Sequence, residues 1–259
     1  MDFTPNADHE AIREGVRRVC ADFDDDYWRR CDAEHEFPWD FYRAMAAGGW
    51  IGIAIPEEHG GGGRGITEAS LVVEEVAASG AAMNGASAIH LSIFGMGPVI
   101  HHGSPELQAR VLPRVASGDL HVAFGVTEPD AGTDTSRTAT RATLDAGGEH
   151  YLVRGRKVWT TKAPLCEKVL LLVRTTPREE VARPTDGLTL LLADLQRPEV
   201  TITPIPKAGR NAVVSCEVAY DDLPVDVADR VGEEYQGFRY RRDGLNPELI
   251  LIAAEAPGT

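Results

Sequence analysis

Two stretches of the chain set hydroxyls, an aromatic ring and turn-forming residues where a ligand could use them. The first is Phe124-Gly125-Val126-Thr127-Glu128-Pro129-Asp130-Ala131-Gly132-Thr133-Asp134. A short apolar run from His121 to Val126 stops at the hydroxyl of Thr127. Pro129 to Gly132 then force a turn at which backbone can approach a ligand closely. The second is Gly155-Arg156-Lys157-Val158-Trp159-Thr160-Thr161-Lys162-Ala163. It is strand-like, ends on an indole, and places two hydroxyls side by side. A flat aromatic ring with polar edges suits this setting, with an indole beside it and hydroxyl and amide donors at its rim. Each piece alone has an ordinary explanation, a plain turn after a strand or a tryptophan in the core. Their combination and order carry the argument.

Together the two stretches resemble the acyl-CoA dehydrogenase family. They match its segments TEP-x-AG-[ST]-D and G-x-K-x-W-[IT]-[TS] almost letter for letter. The resemblance implies FAD as cofactor and an acyl-CoA thioester as substrate, oxidised to the trans-2-enoyl-CoA, with an acceptor like electron-transfer flavoprotein. It implies that Phe124, Val126 and Thr127 contact the isoalloxazine ring and its polar edge. Gly132 and Thr133 then match the turn that holds flavin phosphate or thioester-side groups, with Thr133 replacing a commoner Ser. Trp159, Thr160 and Thr161 match the flavin-side strand, with the Thr161 hydroxyl near N5. Lys162-Ala163 stands where Asn-Gly is commoner. Glu248 falls where the isovaleryl and long-chain branches carry the base that takes the α-proton, which also makes it a substrate-side residue. The plainer reading of Glu248 is an acid favouring a helix start near Pro247. Leu249 stands where the family commonly has Arg.

Composition bounds the remaining possibilities. The chain has 259 residues and a net charge of −14. That acidity argues against a nucleic-acid partner, because phosphate binding needs a basic surface. Four cysteines, Cys20, Cys31, Cys166 and Cys216, are scattered without metal-ligand spacing. They read as free thiols of a reducing compartment, and no metal is expected. Met1 to Pro5 lack a basic, apolar leader, and no apolar run approaches the ~18 residues that a membrane span needs. The expectation is a cytoplasmic protein.

The elements that must position the two stretches follow from periodicity. Apolar spacing predicts helix from 7 to about 35, with Asp24-Asp25-Asp26 as an interruption. Pro38 opens the next helix and Gly48-Gly49 ends it. Gly60 to Gly63 reads as a flexible loop, since no Lys-Ser/Thr follows it. Thr67 is read as the cap of another helix, a small-residue helix spans Ala81 to about His102, and Ser104-Pro105-Glu106 starts one more. His90, His101 and His102 read as surface or capping histidines. From His121 the period changes to short Val-, Leu- and Thr-rich runs, ending near Asp221-Asp222-Leu223-Pro224. These predict an antiparallel barrel or sandwich. Glu234 to Ala256 reads as helix, with Pro247 as a kink or restart.

The expected class is α+β. Residues 1–120 form an N-terminal helical domain, 121–233 a middle β domain, and 234–259 the first helix of a C-terminal helical domain. Family members continue into a four-helix bundle that completes the flavin site and contributes to subunit contacts, so a homo- or hetero-oligomer is expected. The first reading is a flavin-dependent acyl-CoA dehydrogenase lacking most of that bundle. The second is a catalytically incomplete remnant or pseudo-subunit whose bundle comes from a partner chain. A third is another flavin enzyme of the same fold, an oxidase or a hydroxylase.

Overall fold

A computed structural model describes residues 6–259. The stretch Met1–Pro5, read above for a leader, lies outside the described residues. Helix α1 (Ala7–Cys20) starts where the Asn6 side-chain oxygen Oδ1 accepts the His9 N–H at 2.8 Å. It stops before Asp24, whose carboxylate accepts the Tyr27 N–H at 2.9 Å and so begins α2 (Asp25–Glu34). The acidic triplet thus breaks one amphipathic run into two because its first member serves as an N-cap. Helix α3 (Trp39–Ala47) follows Pro38 and ends at Gly48.

The glycine run is packed rather than flexible. Gly62 N–H bonds Gly52 O at 3.0 Å and Gly63 N–H bonds Ile55 O at 2.9 Å. A Cβ at Gly61 would lie 2.1 Å from Ile55 O, so only glycine permits this contact. Helix α4 (Ile66–Val76) is capped at Gly65, not Thr67: the Glu68 carboxylate reaches back to the Gly65 N–H at 3.0 Å. The small-residue stretch is not one helix. A wide turn (Ala77–Ala81) with positive φ at Gly80 and Ala82 precedes α5 (Ala82–Phe94), and Gly95-Met96 separate it from α6 (Gly97–His102). Helix α7 (Pro105–Ala116) is capped by Ser104.

The strands are β1 (Val122–Gly125), β2 (Arg141–Leu144), β3 (His150–Thr161), β4 (Lys168–Arg174), β5 (Leu188–Asp194), β6 (Val200–Pro204), β7 (Ser215–Asp226) and β8 (Arg230–Val231). They form one sheet in the order β6-β7-β3-β2-β4-β5-β8, with β1 also on β4. The expected strand-rich middle is present, but the sheet is mixed and not closed. β1 and β2 both run parallel to β4. β7 continues through Leu223 and Pro224 to Asp226, pairing with the first half of β3.

β4 is apolar at consecutive positions because both its faces are covered. Leu170 and Leu172 pack with α7, while Val169, Leu171 and Val173 pack on the other side with Tyr151 and Val218. Two last helices, α8 (Gly237–Tyr240) and α9 (Arg242–Gly258), return to the helical layer, where Leu251 joins the core of Phe41, Val72 and Ile89. Pro247 does not restart the chain, and α9 runs through it.

His121 enters β1 from a nearly closed aromatic box, its ring centroid 4.4 Å from Tyr42 and 5.2 Å from Trp39. Burial, aided by the nearby charge of Lys162, pushes its pKa down to about 3. An unfolded histidine titrates near 6.5. Between about pH 6.5 and pH 3 the unfolded chain therefore holds a proton that the folded chain does not, and stability falls as pH drops through that window. His121→Phe should flatten the acid limb of the stability curve by about one proton, roughly 1.4 kcal/mol per pH unit. Urea midpoints at pH 4, 5 and 7 check this.

Candidate active site

β1 delivers the first stretch. At Gly125 a Cβ would meet Leu171 Cδ2 at 2.6 Å, and Lys157 Cγ lies 3.4 Å away, so glycine makes room for the lysine stem. Glu128 and Ala131 then exchange backbone hydrogen bonds of 3.1 and 3.2 Å, closing a tight turn over Pro129-Asp130.

The Glu128 side chain turns inward. Its carboxylate accepts the Ala139 N–H at 2.8 Å, the Thr140 N–H at 3.0 Å and Lys157 Nζ at 2.8 Å. Lys157 Nζ also donates to Val126 O at 3.1 Å, and Val158 N–H donates to Thr127 O at 2.9 Å. The two stretches are thus stitched together by backbone and by a buried ion pair. Burial draws the Lys157 pKa down to about 8 against the attraction of Glu128. For Glu128 burial works upward, but Lys157 and the N–H donors prevail and hold it below its ordinary value. Both groups are charged at neutral pH.

Sequence reasoning quoted both residues but gave neither a role. The available signal was the lysine itself. In β3 it shares an inward-facing set with Tyr151 and Val153, and a buried ammonium requires a carboxylate.

The second stretch carries a bulge. The β3–β7 register shifts between Lys157 and Thr160, and Trp159 sits there at φ +62° with its indole 57% exposed. A bulky residue in the left-handed region stores of the order of 1–3 kcal/mol and marks a place where side-chain direction matters. The bulge aims the ring outward. Thr161, next but one, is half-buried on the same open side, while Thr160 is buried with its hydroxyl unpartnered among the described residues. Trp159→Gly should leave stability within about 0.5 kcal/mol or raise it, since the backbone strain goes and the indole is more than half exposed. A chemical denaturation curve tests this.

The hydroxyls of Thr127 and Thr133 lie along the first stretch, and a Cβ at Gly132 would meet nothing within 4 Å. Lys162, at φ +60°, occupies a turn that Asn-Gly would fit without strain. Its ammonium turns inward to Ala88 O at 3.2 Å. The loop after the first stretch is anchored by Arg174, which donates to Thr138 O at 3.0 Å and Ser136 O at 2.8 Å.

Glu248 approaches from α9. Along this helix Gly244, Leu251 and Glu255 are buried, and Glu248 lies in the same stripe at spacings of four, three and four residues. A Cβ at Gly244 would be 3.5 Å from the Phe124 ring, so this face of α9 meets the end of β1. Phe94 of α5 packs beside Phe124 with centroids 6.1 Å apart. Burial pushes the Glu248 carboxyl above its usual value; His90 opposes this and Glu255 adds to it.

His90 itself corrects the surface reading. It is 7% exposed, with Nδ1 at 2.7 Å from Glu255 Oε1. The small residues of α5 let α9 approach closely enough for this contact. His102 is half-buried as well, stacked on Tyr240 and 2.5 Å from Asp243.

The structure therefore brings Phe124, Val126, Thr127, Trp159 and Thr161 to one region, with Glu248 on the helix that faces Phe124. It turns the Thr160 side chain away. Among the described residues no helix is long and apolar enough to cross a membrane.

Comparison with known proteins bears on this arrangement. Residues 6–119 match the family model described as acyl-CoA dehydrogenase, N-terminal domain, and residues 123–223 match the middle domain. Acyl-CoA dehydrogenase FadE26 of Mycobacterium tuberculosis is 34% identical over 215 residues, covering 82% of this chain and 51% of the relative. Acyl-CoA dehydrogenase FadE12 of the same organism is 31% identical over 262 residues, covering 99% and 64%. The structure of a glutaryl-coenzyme A dehydrogenase with glutaryl-CoA matches with a TM-score of 0.91 at 25% identity, over 100% of this chain and 65% of that one. The chain spans about half to two thirds of the length of these relatives. The stitched pair of stretches, the matched N-terminal and middle domains and the likeness along nearly the whole chain place it in the acyl-CoA dehydrogenase family.

Proposed function

We propose that this chain holds FAD on the surface formed by Phe124, Val126, Thr127, Gly132, Thr133, Trp159, Thr160 and Thr161, and serves the α,β-dehydrogenation of an acyl-CoA thioester. The observation that carries the reading is the Thr127–Val158 hydrogen bond over the Glu128–Lys157 pair, with the Trp159 indole aimed outward beside it. This surface suits a flat ring with polar edges: an open indole, hydroxyls at Thr127 and Thr161, and clear space over Gly132. Thr160 contributes through its backbone, since its side chain is buried.

When bound, FAD supplies the acceptor for the β-hydrogen as hydride. Glu248 takes the α-proton, and its partly apolar surroundings favour a proton affinity closer to working pH than a free carboxylate has. Thr133 orients the thioester side. The reaction belongs to fatty-acid-type metabolism in the cytoplasm, and an electron-transfer flavoprotein-like partner accepts the electrons.

A second reading has its own observation. Leu249, Ile250 and Ile252 are 67%, 48% and 43% exposed on α9, next to Glu248. Such a row favours a further helical surface covering it, from the same protein or from a partner chain in a homo- or hetero-oligomer. On that reading this chain alone binds flavin poorly and does not turn over.

The visible spectrum of the purified chain separates the two readings. Bound flavin absorbs at roughly 450 nm. A yellow protein whose flavin persists through gel filtration supports the first reading. A colourless protein that FAD does not stabilise supports the second.

A further inference from the structure

Three guanidinium groups stand together where α8 passes into α9, on Arg239, Arg241 and Arg242. In a chain of net charge −14 this is a local excess of positive charge. Among the described residues none of the three is ion-paired. The carboxylates closest in the chain are engaged or open to solvent: Asp243 bonds His102, Glu234 accepts from Tyr151, and Glu233 is exposed.

Arg241 is the member held in place. Its N–H donates to Gly237 O at 3.0 Å and its carbonyl accepts the Leu245 N–H at 2.9 Å, which fixes its backbone at the head of α9. Its guanidinium carbon lies 4.1 Å from the centre of the Phe238 ring. Phe238 and Phe124 pack against one apolar cluster, and Val126 belongs to that cluster. Arg241 is half-buried, and its Nε is buried with no hydrogen bond among the described residues. The two Nη nitrogens are neither bonded nor closed off. Burial and the neighbouring Arg242 both work against the charged form, and no carboxylate offsets them. A guanidinium nonetheless stays protonated at any working pH. A half-buried cation without a counter-ion is costly until an anion completes it.

Its place on α9 names the anion. Positions 241, 244 and 248 recur at three and four residues, so Arg241 shares the stripe that carries Gly244, where α9 meets Phe124, and Glu248. It precedes Glu248 by about 10 Å of axial rise. Helix side chains tilt toward the N-terminus, which carries the guanidinium further from the base. An acyl-CoA bears its charge at such a remove, because an uncharged pantetheine arm separates the thioester from the first phosphate. The planar fork of a guanidinium meets phosphate oxygens two at a time.

We propose that Arg241 binds the phosphate at the far end of the pantetheine arm, with Phe238 holding the guanidinium flat and the two Nη nitrogens donating to phosphate oxygens. This rests on the acyl-CoA reading above and deepens it, by naming the charged group of the substrate that the chain recognises and the side chain that recognises it. Arg239 and Arg242 are exposed and add to the attracting field.

The test is a calorimetric titration of the intact chain, which needs no turnover, with pantetheine, 4′-phosphopantetheine and FAD as probes. In the wild type 4′-phosphopantetheine should bind at least about ten-fold tighter than pantetheine, the usual size of a charge-assisted hydrogen bond. Arg241→Gln should remove that preference and leave pantetheine bound as before. Arg242→Gln, at the exposed neighbouring position, should keep it. Arg241→Lys, which retains the charge and loses the fork, should cut the preference roughly three-fold.

Equal affinity for the two arms in the wild type, binding of neither, or a preference that survives Arg241→Gln overturns the proposal. If Arg241→Gln does not fold, an uncut preference in Arg241→Lys overturns it instead. A loss confined to FAD also overturns it, since the guanidinium then serves the phosphates of the cofactor and not those of the substrate. Failure of the acyl-CoA reading would appear separately, as a flavin-loaded, assembled enzyme that no acyl-CoA bleaches.

Discussion

Lys157→Met should destabilise the chain by about 3–5 kcal/mol, the cost of leaving one member of a buried ion pair without its partner. The substitution keeps most of the side-chain volume and removes only the ammonium. Glu128 then keeps its two backbone donors at Ala139 and Thr140 but loses its counter-charge, and Val126 O loses the one side-chain donor it has among the described residues. A buried carboxylate in that position either ionises at great cost or takes up a proton, so the loss should grow with rising pH.

The double variant Lys157→Met with Glu128→Gln should recover much of the loss, because both charges go together. Urea denaturation of the four proteins gives the coupling directly. Flavin retention should fall in the single variant even at temperatures where it stays folded, since the turn after Val126 is no longer held to β3. A loss below about 1 kcal/mol would mean that the backbone bond at Thr127 suffices by itself.

Glu248→Gln should lower turnover by a factor of 10² to 10⁴, the usual contribution of a positioned general base, while leaving flavin binding unchanged. Gln is nearly isosteric and the site is only partly covered, so stability should hold. The measurement uses an acyl-CoA substrate with an artificial electron acceptor. It is made on the assembled enzyme, whether the surface over Leu249, Ile250 and Ile252 comes from this protein or from a partner. Because the Glu248 carboxyl is raised, the wild-type rate should fall as pH drops through that raised midpoint, where the base becomes protonated. The Gln variant should lose that acid limb.

Several features of the site were legible in the residues. The two stretches are neighbours as their order implied, and the spacing from Gly244 to Glu248 to Leu251 to Glu255 is a helical stripe that can be written down without coordinates. The buried role of Lys157 was missed, although a charged residue in an inward-facing strand position implies a partner and Glu128 stood in the matching motif.

What escaped depends on contacts distant in the chain. The parallel pairing of β1 and β2 with β4 is set by how the chain returns through β3 and its loops, not by alternation within any one strand. His90 read as a surface residue because its partner lies 165 positions away. Thr67 lost the cap to Gly65 because Glu68 could reach back to that N–H, a competition between side chains that local preference alone does not decide.

On this reading a planar cofactor lies against the indole at Trp159, beside the turn that follows Val126. Titrating the chain with FAD while following tryptophan fluorescence decides this, with Trp159→Phe as the comparison, because the other three tryptophans belong to the helical layer. Quenching should be saturable in the wild type and small in the variant. Equal quenching in both proteins, or none that saturates, would contradict it.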